Sequence, residues 1–507
     1  MKILSREQVY EADKVTAQNQ NISSDELMER AGTGVFNWIH SNLQGNHVKI
    51  HIFCGIGNNG GDGMVIARHL KNHGYNIQTY VVNFSDKRSK DFLLNLNRLK
   101  ELKHWPQFIN NEEDIPEISE GDMVVDAIFG IGLHRPPAEW VGEIIKQINE
   151  SGSFVLSIDI PSGLYMDKIP EQIDYIIKAN HTLSFQNPKL PFFLPQTGIY
   201  CNSWELIDIG IDEQFMEKVK TEAEFITKQN ILSLYIPRNK FSHKGTYGHS
   251  LIAGGSYGKI GAVVLSSKAC LKVGAGLVTS FIPKCGYDIL QTVFPECMVI
   301  TDEDEKIITD IQYDFKPSVI GIGTGMGKDK KTVQAMNNLL SNINMPIVID
   351  ADGLNILSEN KEMLDKLPEN SVLTPHPKEL ERLIGKWRDD FEKLEKVKLF
   401  SKKYNCVVVI KGAHTITVYK DKLYINSTGN PGMASAGSGD VLTGIITGLI
   451  SQGYTPLNAT IFGVYLHGKA ADLAVGKTGY EALTATSIID HISTFYINLF
   501  SEDEKKN

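Results

Sequence analysis

The sequence predicts an α/β fold made of two units, each a mainly parallel sheet flanked by helices. Three observations carry this expectation. At 507 residues the chain is too long for one ordinary hydrophobic core. Short β-branched runs alternate with helical patterns along its whole length. Strand after strand ends in glycine, aspartate or a small polar residue, the place where open parallel sheets collect ligands.

The first unit opens with helical segments, where Ser23 and Glu26 fit a capping box ahead of LMERAG. Strand-like runs follow at VKIHIFC, IQTYVVN, DMVVDAI and FVLSIDI, and the series ends near ELIDIGI. From about Asp212 to Tyr235 the chain is charged and helical in character, which reads as a connector. The second series starts at HSLIAGG and runs through PSVIGIG, MPIVIDA, SVLTPHP and CVVVIKG, closing on helices after Asp440. These boundaries place the two domains at 1–213 and 224–507.

Composition narrows the function. With 42% hydrophobic and 22% charged residues the chain is an ordinary globular protein. A net charge of −9 argues against broad nucleic-acid or acidic-membrane binding, so an anionic ligand must be held by local backbone donors, a few cations or metal ions. The six cysteines form no CxxC pair, which suggests reduced thiols rather than a disulfide frame. The start MKILSREQVYEADK is charged throughout, without an apolar run. The expectation is a soluble cytoplasmic protein.

Four motifs carry chemistry. The strand HVKIHIFC runs into GIGNNGGDG, Gly55 to Gly63, with MVIARHLKNHG as the helix beyond, so strand, glycine loop and helix make an anion cradle. It matches neither the dinucleotide GxGxxG nor a P-loop. Asn58, Asn59 and Asp62 add side-chain oxygens that suit a monovalent or hard cation, or a ribose hydroxyl. Two more strand ends match it: VVDAIFGIGLHRP, with Asp126, Gly130, Gly132 and Arg135, and LSIDIPSGL, with Asp159 and Ser162. Each aspartate alone reads as an ordinary turn-former, and Arg135 reads equally as a surface arginine; three such ends on one sheet point beyond that. In NSTGNPGMASAGSGDVLTG, Gly437 and Gly439 let backbone N–H groups face an anion at the start of the helical run from Val441. Asp440 stands at the mouth of that helix. Phosphate repels a carboxylate, so its place suits proton abstraction from a hydroxyl that attacks phosphorus; a lone GxGD would otherwise be a capped turn.

Through GIGNNGGDG, DAIFGIGLHR and DIPSGL the first unit resembles the YjeF N-terminal family, the NAD(P)H-hydrate epimerases. Through KGTYGHSLIAGGSYGKIGAVVLSS, GIGTGMGKD, DADGLN, TPHPKE, KGAHT and NPGMASAGSGDVLTG the second resembles the NAD(P)H-hydrate dehydratases of the ribokinase-like superfamily. The pair of resemblances implies a Rossmann-like domain followed by a ribokinase-like one. Lys378, after TPHP, stands where glycine is more usual. For the first unit the resemblance implies interconversion of the R and S hydrates NADHX and NADPHX. Asn58, Asn59, Gly60, Gly61, Asp62, Gly130, Ile131, Gly132, Leu133, His134, Arg135 and Pro136 would hold the dinucleotide. Asn59, Asp126 and Ser162 would coordinate potassium, and Asp159 would act at the nicotinamide ring. A carboxylate suits that task, because opening the C6–O bond passes through an iminium-like cation that an anion stabilises.

For the second unit the resemblance implies dehydration of the S hydrate with ADP as co-substrate, giving AMP and phosphate. Asp440 would be the base. Ala262, Gly323, Gly325 and His376 would contact the hydrate, and Lys411, Gly412, Ala413, His414, Thr415 and Gly439 the nucleotide. Magnesium is expected on the phosphates, although the sequence offers no distinct ligand set for it. Asp350, Asp352 and Asn355 read equally as supporting groups or as a capped turn. A lone histidine is more often structural, and only the resemblance assigns His376. His69 and His73, four apart, read as a solvated helix face, and Cys54 as a small buried residue. Small-molecule substrates and a homo-oligomer are expected, with no nucleic acid and no membrane. The alternative is a small-alcohol kinase fused to a non-catalytic nucleotide-binding or scaffold domain.

Overall fold

The computed structural model describes residues 1–501, which fall into two compact units. The first is Lys2–Ala223 with Asp389–Phe391; the second is Met1, Glu224–Arg388 and the described residues from 392 onward.

Seven strands form the first sheet: β1 (Ile50–Cys54), β2 (Ile77–Val82), β3 (Gln107–Ile109), β4 (Met123–Ala127), β5 (Phe154–Ile158), β6 (His181–Phe185) and β7 (Ser203–Ile207). They lie in the order β3-β2-β1-β4-β5-β6-β7, and every pair is parallel. Residues of β1 are buried throughout, as a strand covered on both faces requires. One face packs Val35, Ile39, Met64 and Ile66 against the sheet, the other Ile144, Ile145 and Ile148. The covering helices are α1 (Arg6–Gln20), α2 (Ser24–Leu43), α3 (Asn58–Asn72), α4 (Lys90–Glu101) and α5 (Glu139–Glu150). The expected capping box on Ser23 and Glu26 starts α2, and Ser5 with Gln8 starts α1 the same way. Strand order reverses between β1 and β4, so the ends of these two strands flank a crevice.

One expectation changes here. Most of GIGNNGGDG is helix rather than loop, because α3 begins at Asn58. A Cβ at Gly60 would sit 1.8 Å from the Gly55 carbonyl oxygen, and one at Gly63 would sit 2.6 Å from Cys54 Sγ. These glycines serve the close packing of α3 on β1.

The second unit holds β8 (Ala223–Ile226), β9 (His249–Ala253), β10 (Leu277–Ile282), β11 (Met298–Thr301), β12 (Val319–Ile322), β13 (Ile347–Ile349), β14 (Val372–Leu373), β15 (Val407–Ile410), β16 (Ile416–Tyr419) and β17 (Lys422–Asn426). Their order is β8-β17-β16-β15-β14-β13-β12-β9-β10-β11. From β15 through β9 to β11 the pairs are parallel, whereas β15, β16 and β17 form an antiparallel meander. The expected helical connector therefore contains a strand, β8, whose Ala223 and Ile226 are buried in a short AEFI run that helical patterning hides.

Its helices include α6 (Ile260–Lys272), α7 (Asp352–Glu359), α8 (Pro377–Ile384), α9 (Ser438–Ser451), α10 (Pro456–Thr478) and α11 (Ala485–Leu499). From Val441 onward every residue of α9 is buried, the mark of a helix inside the core. Glycines bring it onto α6: a Cβ at Gly444 would meet the Ser266 carbonyl oxygen at 2.0 Å, and one at Gly448 the Cys270 carbonyl oxygen at 2.5 Å. The start of α9 is thereby fixed beside the strand ends.

Candidate functional sites

A cleft of about 600 Å³ opens at the strand ends of the first unit. Asn58, Asn59, Asp62, Gly130, Ile131, Gly132, Leu133, His134, Arg135 and Asp159 all line it. Gly60 and Gly61 do not; they face Gly55 and Met28 in the packing of α3, and Pro136 lies exposed outside the lining.

Asp159 follows β5 with a φ of +64°, a left-handed conformation that costs a non-glycine residue about 1–3 kcal/mol and collects at functional sites. Its neighbours hold it there. The Asp159 N–H donates to the Leu183 carbonyl at 2.7 Å, and Oδ1 accepts from the Phe185 N–H at 3.1 Å. Lys189 Nζ stands 2.8 Å from the same oxygen, although its side chain is only 2% exposed. That ammonium also donates to Ser184 Oγ and to the carbonyls of Phe185 and Asn187, so its three protons are answered. Lys189 was missed from sequence; the signal was a lysine after the Asn-Pro turn that ends β6.

Asn59, Asp126 and Ser162 come together below the cleft. Ser162 Oγ donates to Asp126 Oδ1 at 2.5 Å and accepts from the Phe129 N–H at 2.8 Å, and Asn59 Nδ2 donates to the Phe129 carbonyl at 3.0 Å. Asp126 also receives the Ser162 N–H at 2.9 Å and Ser157 Oγ at 2.8 Å. Burial pushes the Asp126 carboxyl up, and these hydrogen bonds oppose that rise. Four oxygen-bearing groups from three chain segments thus share one buried spot. Burial and the nearby carboxylates of Asp159, Asp13 and Asp91 push Asp62 well up.

In the second unit five adjacent strand ends meet, those of β9, β12, β13, β14 and β15. Gly437 caps α9 at a φ of +87°, and Asp440 lies in its first turn rather than ahead of it. Burial first, and then the Asp350 charge, push the Asp440 carboxyl up to about 7 against the pull of Lys411. Asp350 is 2% exposed and fully engaged: Lys411 Nζ is 2.8 Å from Oδ1, and Thr443 Oγ1 donates to Oδ2 at 2.9 Å. A Cβ at Gly439 would lie 3.4 Å from both Asp350 Oδ2 and Lys411 Nζ. Lys411 therefore stands beside the start of α9, while Gly412, Ala413, His414 and Thr415 form the turn into β16.

Gly325 has a φ of +63°, and its missing Cβ would lie 3.2 Å from that of Ala262. Gly323, at +114°, passes against the Asp350 carbonyl. His376 caps α8 through Nδ1, which accepts from the N–H groups of Lys378 at 3.1 Å and Glu379 at 3.4 Å. Burial and the cations Lys411 and Arg382 lower its imidazole pKa. Of the undecided trio, Asp350 joins the cluster, Asp352 Oδ2 accepts the Gly327 N–H at 2.9 Å, and Asn355 accepts from Arg382 at 2.6 Å. Beneath the loop, burial and Lys411 lower the His467 imidazole to about 4, and its Nε2 lies 3.3 Å from Ser438 Oγ.

His69 Nε2 pairs with Glu29 at 2.8 Å, and the rings of His69 and His73 pack near Phe36. The Cys54 thiol is buried and pushed up, so it is no nucleophile. Among the described residues no three His, Cys, Asp or Glu side chains form a metal cluster, and no helix is long and apolar enough to cross a membrane.

Two family models match, "YjeF-related protein N-terminus" over residues 24–190 and "NAD(P)H-hydrate dehydratase" over 250–494. A bifunctional NAD(P)H-hydrate repair enzyme of Moorella thermoacetica is 34% identical across 99% of this chain and 98% of its own length. The Coxiella burnetii enzyme of the same description is 32% identical, covering 96% and 97%. Among solved structures, an ADP/ATP-dependent NAD(P)H-hydrate dehydratase of Bacillus subtilis, co-crystallised with ATP and magnesium, is 27% identical over 54% of this chain and 98% of its own, with a TM-score of 0.48.

Proposed function

The chain belongs to the bifunctional NAD(P)H-hydrate repair enzymes, and we propose that it divides their chemistry between its two strand-end sites, with Asp159 acting in the first and Asp440 in the second. The small-alcohol kinase reading is not favoured, because it leaves the full-length likeness unexplained.

In the first site the cleft takes the hydrated nicotinamide ring toward Asp159. As the C6–O bond opens, the ring nitrogen's lone pair forms an iminium-like cation, and the Asp159 carboxylate opposes that charge. The oxygens of Asn59, Asp126, Ser162 and the Phe129 carbonyl fit a monovalent cation, and we assign potassium there. Bound there, it would add fixed positive charge to a cleft whose cationic lining also includes Lys14, Arg135 and Lys189.

In the second site the C6 hydroxyl of the S hydrate attacks the β-phosphorus of ADP. Asp440 takes the hydroxyl proton, the bond to the AMP oxygen breaks, and AMP leaves. The ring nitrogen's lone pair then expels phosphate from C6, and loss of a C5 proton gives NAD(P)H. N–H groups at the Gly437–Gly439 turn face the transferring phosphoryl group, and Lys411 adds a cation. Magnesium would travel on the nucleotide's phosphates, since both Asp350 oxygens are already engaged.

The observation that carries this reading is Asp440, raised to about 7 in the first turn of a helix capped by a left-handed glycine. A carboxyl poised near neutrality suits a base. The test is to supply the S hydrate with ADP and magnesium and to quantify products. Equal amounts of NAD(P)H, AMP and phosphate are expected; a stable phosphorylated hydrate without NAD(P)H would refute the dehydratase assignment.

A further inference from the structure

Helix α1 turns one face to the epimerase cleft. Tyr10, Asp13, Lys14 and Ala17 all line it, at the i, i+3, i+4 and i+7 spacing of a single helical stripe. The stripe is mixed: Tyr10 and Lys14 are exposed, Asp13 and Ala17 are half-buried, and Ala12 and Thr16 beside them are buried. Among the described residues the Asp13 carboxyl makes no hydrogen bond and no ion pair. Its oxygens are open to the cleft, so a bound ligand can meet them directly.

Two carboxyls therefore face the same cleft in opposite circumstances. Asp159 has a counter-charge, Lys189 Nζ at 2.8 Å. Asp13 has none in contact, and burial with the Asp159 charge pushes it up to about 6, against a smaller pull from Lys189. The other charged groups that line this cleft are Asp62 on α3, Asp91 on α4, Lys14 on α1 itself, and His134 and Arg135 from the loop after β4. Two carboxyls on one cleft, one with an ammonium in contact and one without, can divide the work of base and acid.

We propose that Asp13 is a second catalytic residue of the epimerase, the acid that protonates the departing C6 hydroxyl, with Asp159 as its basic partner. This rests on the epimerase reading of the first site. In one direction the Asp13 carboxyl gives its proton to the C6 hydroxyl oxygen, the C–O bond breaks, and the electron pair of the ring nitrogen becomes the N1=C6 bond. Water then adds to C6 from the other face and passes a proton to the Asp159 carboxylate as the N1=C6 pair returns to nitrogen. One proton crosses the pair and no other reactant is consumed. The reverse direction uses the same two groups with roles exchanged.

The experiment uses the full chain with R hydrate, potassium and no ADP, so that dehydration is silent, and follows R-to-S conversion by chromatographic separation of the epimers. Asp13→Asn is expected to lower kcat about 10²–10³-fold with little change in KM. The parental rate should fall as pH rises past about 6, where Asp13 loses its proton, and Asp13→Asn should abolish that limb. Asp13→Glu should recover part of the rate together with the limb. Asp13→Asn within a few-fold of the parent overturns the proposal. So does a slower enzyme that keeps the parental pH limb, since that marks a structural role. A parental chain that does not epimerise, or an Asp159→Asn variant of parental rate, would instead overturn the epimerase reading on which the proposal stands.

Discussion

Both sites place a lysine among aspartates at strand ends, buried in the first and half-buried in the second, and they spend its charge differently. In the first, Lys189 contacts Asp159, the carboxylate assigned to the reacting ring. In the second, Lys411 contacts Asp350 and leaves Asp440 without a direct cation, raised to about 7. The first arrangement sets a fixed counter-charge against the carboxylate beside the iminium-like cation; the second leaves its carboxylate with no cation in contact, suited to take a hydroxyl proton near neutral pH. Local pairing, rather than residue type, sets the two aspartates apart.

The largest expected break in this comparison is Asp440→Ala. It should lower turnover of S hydrate by about 10³-fold or more while ADP still binds and R-to-S conversion continues. Steady-state assays with each epimer check this, and near-parental dehydration would remove Asp440 from the mechanism. Next come the two lysines. Lys189→Met leaves Asp159 without its counter-charge at a buried position, and Lys411→Met does the same to Asp350. Each should cost about 3–5 kcal/mol of stability in its own unit, read by denaturant unfolding, and each should impair only its own activity. Equal loss of both activities in either variant would erase the distinction.

A smaller effect is the pH dependence of dehydration. Asp440 must be deprotonated to accept the hydroxyl proton, and its raised value keeps it neutral below about 7. kcat/KM for S hydrate at saturating ADP should therefore fall about tenfold per unit below that point. A flat profile would show that Asp440 titrates elsewhere. The smallest is Gly437→Ala. At a φ of +87°, with Leu265 Cδ1 2.6 Å from the new Cβ position, it should cost about 1–2 kcal/mol and weaken ADP binding without altering the first site.

Much of the architecture was legible because strand ends announce themselves through glycine and aspartate. The parallel series, the capping box at Ser23 and the glycine before α9 all follow from local chemistry. What stayed hidden depends on distance along the chain or on a misleading local pattern. Asp350 meets Thr443 across 93 positions, and no local spacing indicates that contact. Asp13 lies in the charged start MKILSREQVYEADK, which singles out no one residue, and only the fold shows it lining a cleft. The glycines of GIGNNGGDG suggested a loop because glycine disfavours helices, yet close packing on β1 overrides that preference.

The central claim is that two separable sites act in sequence on one damaged cofactor. Its most direct test gives a mixture of R and S hydrates, with potassium, magnesium and ADP, to Asp159→Ala, to Asp440→Ala, and to the two variants combined, following reduced-nicotinamide absorbance to completion. The account predicts prompt recovery of only the S share with Asp159→Ala, none with Asp440→Ala, and full prompt recovery when the variants are mixed. Full recovery at the parental rate by Asp159→Ala alone, or a mixture no better than Asp159→Ala, would contradict it.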